Sequence, residues 1–211
     1  MALSVSAIGD AERAITLCRD AYSRSNRVGD TFGAAEARHR HSWMLQGAGR
    51  HVEANQKSRE ALALAEANSY WALAAHAHYG LAQAALRAGS LDLASEHSDA
   101  AFGYYDRADN RDGIALHQVC MGDIATHASR LDDSIGHYRR AMVIFEALGQ
   151  GRHRHVMETR LARVEIELGQ PDAAEERLRR SLAVFGRVRD RTSAPRPNRW
   201  PSSTSSAGRS T

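Results

Sequence analysis

Apolar and small residues return along this chain at a helical spacing, and the helical stretches themselves return every 40 residues. Within each period an Ala-rich amphipathic stretch of about 17 residues reaches a corner of small residues, and a second stretch of similar length follows. The pattern therefore predicts helical hairpins. In one period Tyr70 to Ala88 reads as the first helix (A), Gly89 and Ser90 as the turn, and Leu91 to Ala108 as the second helix (B), with Asp109 and Asn110 leading into the next hairpin.

Four columns keep this register. Ala14, Ala54, Ala94, Ser134 and Ala174 form one, and Ala21, Ala61, Ala101, Ala141 and Ser181 a second. Ser42, Ala82, Gly122 and Ala162 form a third, and Gly9, Gly49, Gly89, Ser129 and Gly169 a fourth. Every member is small. Two helices approach to roughly 8 Å only where the side chains at their crossing are small. Glycine at the end of helix A suits the left-handed residue that closes many helices, and Pro171 suits the first turn of a new one. Tyr22, Leu62, Phe102, Met142 and Leu182 form one bulky column, and Ala65, Tyr105, Phe145 and Phe185 another. Both are expected in the core.

Self-similarity at such a period marks a solenoid, in which each unit packs only on its neighbours. The columns resemble the tetratricopeptide repeat family in its 40-residue variety, over residues 10 to about 189. Ser42, Gly49, Ala54 and Ala61 take the family's small-residue places in the first full repeat. Ala82, Gly89, Ala94 and Ala101 take them in the second, Gly122, Ser129, Ser134 and Ala141 in the third, and Ala162, Gly169, Ala174 and Ser181 in the fourth. The resemblance implies an all-α, right-handed α-solenoid of antiparallel hairpins with helices A on its concave face. Residues 1–9 then read as a partial helix of an incomplete repeat, 10–190 as about 4.5 repeats, and 191–211 as a disordered Ser/Pro/Arg-rich tail.

Composition narrows the function. No apolar run is long enough to cross a bilayer, and the N-terminus lacks the order of a secretory signal, so a cytoplasmic location without membrane contact is expected. The formal net charge is +3, but six arginines against one aspartate lie from Arg187 onward. The repeat body is left with 22 basic and 24 acidic side chains and no uniformly basic face for nucleic acid. A nucleic-acid role would fall to the tail, with Trp200 as a stacking ring. Cys18 and Cys120 read as free thiols.

Candidate chemistry is sparse. Of the 11 histidines, His39/His41, His76/His78 and His153/His155 are spaced i, i+2, which on a helix sends the rings apart. These histidines, and His97 and His137, are expected to face solvent. There is no Gly-rich phosphate loop, nucleophile elbow or paired-cysteine zinc spacing, so neither a catalytic residue nor a metal or cofactor is expected.

The resemblance instead implies a non-catalytic protein–protein interaction module that takes a peptide or partner helix in its concave groove. The positions facing that groove would include Glu36, His39, Trp43 and Gln46, then His76, Tyr79, Gln83 and Arg87, then Asp123, His127 and Arg163. Trp43 and Tyr79 stand out, since aromatic rings dominate binding energy at interfaces. Ala- and Arg-rich arrays of this kind resemble the C-terminal part of large bacterial transcriptional regulators, which implies a regulatory or signalling setting. A second expectation is a self-associating scaffold, a homodimer formed through the incomplete N-terminal repeat and broken by a polar substitution at Ile15.

Overall fold

Every corner of the chain is built the same way. The structure, a computed structural model, describes residues 2–193, with side chains from 10 to 183. Nine helices run through those residues: α1 (Ala2–Arg27), α2 (Thr31–Gly47), α3 (His51–Ala67), α4 (Trp71–Arg87), α5 (Leu91–Arg107), α6 (Arg111–His127), α7 (Leu131–Ala147), α8 (Gly151–Glu167) and α9 (Pro171–Ser193). Helices α2 to α8 are each 17 residues long. Each of the eight corners takes three residues.

At the corner after α2, Gly49 N–H donates to Gln46 O and Arg50 N–H to Leu45 O, at 3.1 and 2.9 Å. This is a Schellman motif, which satisfies carbonyls the helix end would otherwise leave without partners. The same two bonds recur at all eight corners. Their middle residue is left-handed each time: Gly29, Gly49, Gly89, Gly149 and Gly169, and also Ser69, Asp109 and Ser129, with φ of 59, 47 and 56°. The sequence reading found only the A-to-B half of these corners. It gave Asp109 only as leading into the next hairpin and missed Gly29, Ser69 and Gly149, because serine and aspartate interrupt the glycines in that column. The residue after each corner begins the next helix. Asp30 and Asn110 cap theirs through side-chain bonds from Gly33 and Gly113 N–H.

Consecutive helices pack antiparallel through the described residues, and contact there otherwise reaches only to the next hairpin. The architecture is an all-α helical solenoid. The small columns lie where the helices cross: Ala54, Ala61, Ala82, Ala94, Ala101, Ser134, Ala141 and Ala162 are all at most 1% exposed. The serines among them keep the volume small and satisfy their hydroxyls. Ser42 Oγ donates to Ala54 O at 2.9 Å and meets Ser58 Oγ at 2.7 Å, and Ser134 Oγ meets Thr126 Oγ1 at 2.6 Å. Gly122 has a stronger reason, since a Cβ there would lie 2.5 Å from the Tyr138 ring.

Of the two bulky columns only one is core. Ala65, Tyr105 and Phe145 are fully buried, while Tyr22, Leu62, Phe102 and Met142 are half-buried and Leu182 is exposed. Each of those half-buried rings and chains directly follows a small crossing residue and so points about 100° away from it around the helix. Phe185 lies outside the described side chains.

The ends differ from the sequence reading. Helix α1 runs unbroken through Gly9, so that glycine ends no helix. Helix α9 continues to Ser193, past residue 191 where the tail was expected to begin. The rest of that tail, Trp200 included, lies outside the described residues.

Two substitutions test this account in opposite directions. Gly122→Val forces the Tyr138 ring to move and should lower stability by about 1–3 kcal/mol. Ser129→Gly removes a Cβ from a left-handed corner and should raise it by about 1 kcal/mol. Chemical unfolding of both variants provides the measurement, and equal midpoints would contradict the packing described.

Candidate partner-binding face

Helix α2 touches α4 and α4 touches α6, whereas α3, α5 and α7 make no comparable contact with one another. The even-numbered helices α2, α4 and α6 therefore line the tighter side of the stack. They are the A helices of the sequence reading. On α2, Glu36, His39, Trp43 and Gln46 lie three or four residues apart and share one stripe. The His39 ring stacks on His76 of α4 with centroids 5.4 Å apart, which sets the stripe toward the next A helix. His76 in turn shares a hydrogen bond of 2.9 Å between its Nδ1 and the Tyr105 hydroxyl of α5. Both imidazoles are half-buried, and Glu36 is engaged by Arg40 at 2.7 Å. Trp43, one turn beyond His39, is 65% exposed. Gln46 is half-buried and reaches back to Ser42 Oγ at 3.5 Å.

The remaining candidates do not form one surface. Tyr79 is half-buried and packs against two core clusters, with Ala82 and Leu91 on one side and Ala101 and Tyr105 on the other. Burial holds its hydroxyl well above the usual range. Gln83 is half-buried too, and its Nε2 is enclosed without a hydrogen-bond partner. Arg87 and His127 are exposed, and so is Arg163, which lies 3.8 Å from Glu167.

Asp123 departs furthest from expectation. It is 4% exposed, accepts a 2.6 Å hydrogen bond from the Tyr138 hydroxyl, and is ion-paired with Arg160 of α8. A carboxylate so placed ties α6, α7 and α8 together and is not offered to a partner. Its neighbours Val119 and Thr126 are buried as well.

His39, His41, His76, His78, His97, His137, His153 and His155 are partly or fully buried packing residues, contrary to the solvent-facing role read from the sequence. His41 and His117 are 7 and 8% exposed. Side chains 19 residues apart meet across three of the hairpins: His78 and His97 through their Nδ1 atoms at 3.1 Å, Gln118 and His137 at 2.9 Å, and Glu158 and Arg177 at 2.8 Å. A second set at the same spacing joins one hairpin to the next, with Ser98 Oγ 3.0 Å from His117 Nδ1. That last pair has the atoms of a nucleophile and its base, but both residues are buried where no substrate reaches them. Partners on different helices leave no periodic signal within either one.

Among the described residues no group of three or more His, Cys, Asp or Glu side chains could hold a metal ion. Both cysteines are free, and burial pushes the Cys120 thiol up to about 11, away from reactivity. Ile15 is 7% exposed and packs on Leu45 and Ala54, so a polar residue there would disturb the fold before any self-association.

Burial also lowers the histidine pKa values. His39 is pushed down to about 4, by desolvation first and then by His76 and Arg40. His76, His78, His97 and His117 shift in the same direction, again chiefly by burial. Each is held neutral in the fold and takes up a proton near 6.5 when unfolded, so the unfolded chain binds more protons on acidification. The stability is whole above about pH 6.5 and falls as pH drops toward 4. Thermal unfolding should show a midpoint that declines from pH 7.5 to 5. His39→Gln should reduce that slope by about 1 kcal/mol per pH unit at most. A midpoint insensitive to pH would contradict the neutral, buried assignment.

Comparison with known proteins agrees with this geometry. No curated protein matches the sequence. A solved structure similar in fold is that of BtubC (BKLC) from P. vanneervenii, with 20% sequence identity and a TM-score of 0.67, covering 96% of this chain and 82% of that one. Among the described residues no helix is long and apolar enough to cross a membrane. The family model of the tetratricopeptide repeat matches residues 113–187, the stretch from α6 into α9.

Proposed function

We propose that the chain is a non-catalytic protein-interaction module that holds a peptide or a partner helix along the A-helix side of its first two full hairpins. Tetratricopeptide repeats are generally protein–protein interaction modules, and that general role supports the reading. The observation that carries it is Trp43. An indole left 65% exposed gains little in water, and it stands beside the paired His39 and His76 rings on the side where A helices converge. Arg87, exposed at the end of α4, supplies a cation for a partner's carboxylate.

Tyr79 and Asp123 are left out of the binding set, because their contacts lie inside the stack. A regulatory or signalling setting rests on the sequence resemblance alone and is kept as part of the proposal. The repeat body adds no basic face that would favour nucleic acid.

The test is affinity capture from lysate of the source organism on immobilised protein, beside Trp43→Ala and Arg87→Ala variants, with retained proteins identified by mass. Trp43→Ala should leave the unfolding midpoint nearly unchanged and weaken capture by about 2 kcal/mol, close to 30-fold. Capture that is the same on all three proteins would refute the groove reading.

A further inference from the structure

One polar pair occupies the same two positions in each of the four full hairpins, and in only one of them do two imidazoles face each other. Between α2 and α3 the pair is Arg38 and Lys57, and Glu60 ties them together, 2.8 Å from Arg38 Nε and 2.7 Å from Lys57 Nζ. Between α6 and α7 it is Gln118 and His137, and Arg140 reaches both at 3.0 Å. Between α8 and α9 it is Glu158 and Arg177, which neutralise each other at 2.8 Å. Glu60 and Arg140 each stand three residues after the B-helix member of their pair. Between α4 and α5 the pair is His78 and His97, and three residues after His97 stands Ala100, whose methyl group supplies no such tie.

The two imidazoles are disposed as ligands of one ion. Their Nδ1 atoms are 3.1 Å apart. Zinc bonds to imidazole nitrogen of about 2.0–2.1 Å span that gap at an N–Zn–N angle of about 98°, between the square-planar and tetrahedral values. The opposite nitrogen of His78, Nε2, lies 3.8 Å from Glu66 Oε1 on α3. A carboxylate behind the ring is the partner that fixes the tautomer of a metal-ligating histidine. Tyr104 stacks on His78 with centroids 6.0 Å apart and 26° between the planes, which holds the ring in place. Burial lowers the pKa of both rings, so both offer a lone pair at neutral pH. The His78 side chain is still 13% exposed, within reach of an ion and its waters.

We infer that His78 and His97 form a binding site for a divalent ion of the imidazole-preferring class, Zn²⁺ first, with water in the remaining positions. The ion takes the place of the proton that the two Nδ1 atoms share, and the ring that carried it bears its hydrogen on Nε2 instead, so no proton is lost. Bound to α4 and α5 together, the ion clasps the hairpin. The site does not involve Trp43, so it and the interaction reading can fail independently. Two protein ligands, fewer than a closed structural site has, place the affinity in the micromolar range.

Isothermal titration of zinc chloride into the full chain, prepared without an affinity tag, tests this. The wild type should take up one ion per chain and unfold at a higher temperature when zinc is present. His97→Ala removes a ligand, whereas Ala100→Arg installs the tie that Arg140 makes in the next hairpin and leaves both imidazoles in place. Each should weaken zinc binding by about tenfold or more, with circular dichroism unchanged, and His137→Ala should leave it as it was. Glu66→Gln should weaken it by about tenfold. Wild type that takes up no zinc at about 1 mM holds a hydrogen-bonded histidine pair only, which overturns the inference. So does uptake that is equal in wild type, His97→Ala and Ala100→Arg, and undiminished affinity in Glu66→Gln overturns the orienting role of that carboxylate.

Discussion

The distance at which two helices cross governs everything else in this protein. Alanine, serine and glycine at the crossings let neighbouring helices come close, and that proximity brings the larger residues of the same helices into contact with the next hairpin. Tyr105, Tyr138 and Phe145 are buried because the small columns beside them allow the helices to close over them. Gly122 shows the constraint plainly, where the Tyr138 ring takes up the volume of an absent side chain. From that ring the network through Asp123 and Arg160 reaches α8, so one small residue anchors a polar tie across three helices.

The fold was legible because small-residue columns at constant spacing have few other physical explanations. Helix boundaries predicted for α4 and α5 agree with the structure to one residue, since the corners impose their own chemistry on the chain. What escaped was everything that depends on two helices at once. The histidines are uninformative within their own helices, and their roles emerge only when His78 meets His97 or His39 meets His76. The candidate face was legible in part. The family resemblance placed Glu36, His39, Trp43 and Gln46 on the inner face but gave no depth, and so Tyr79 and Asp123 were grouped with Trp43 although they belong to the interior.

Buried neutral imidazoles give the stack a character unlike that of an aliphatic solenoid. They fill space as rings and also offer a donor and an acceptor, so they bridge helices that alanine would merely let approach. In exchange the packing is tied to the protonation state of groups whose ordinary range lies close to neutrality.

The corners carry one further consequence. All eight share one motif, and the intervening helices are of equal length, so the backbone repeats every 20 residues while the side chains repeat every 40. The main chain by itself thus makes no distinction between inner and outer helices; that assignment is written wholly in the side chains. Loss or gain of a whole hairpin in the course of evolution would leave the faces of the remaining units in phase. Loss of a single helix would invert them from that point onward, turning inward surfaces to the outside with hardly a change in the path of the backbone.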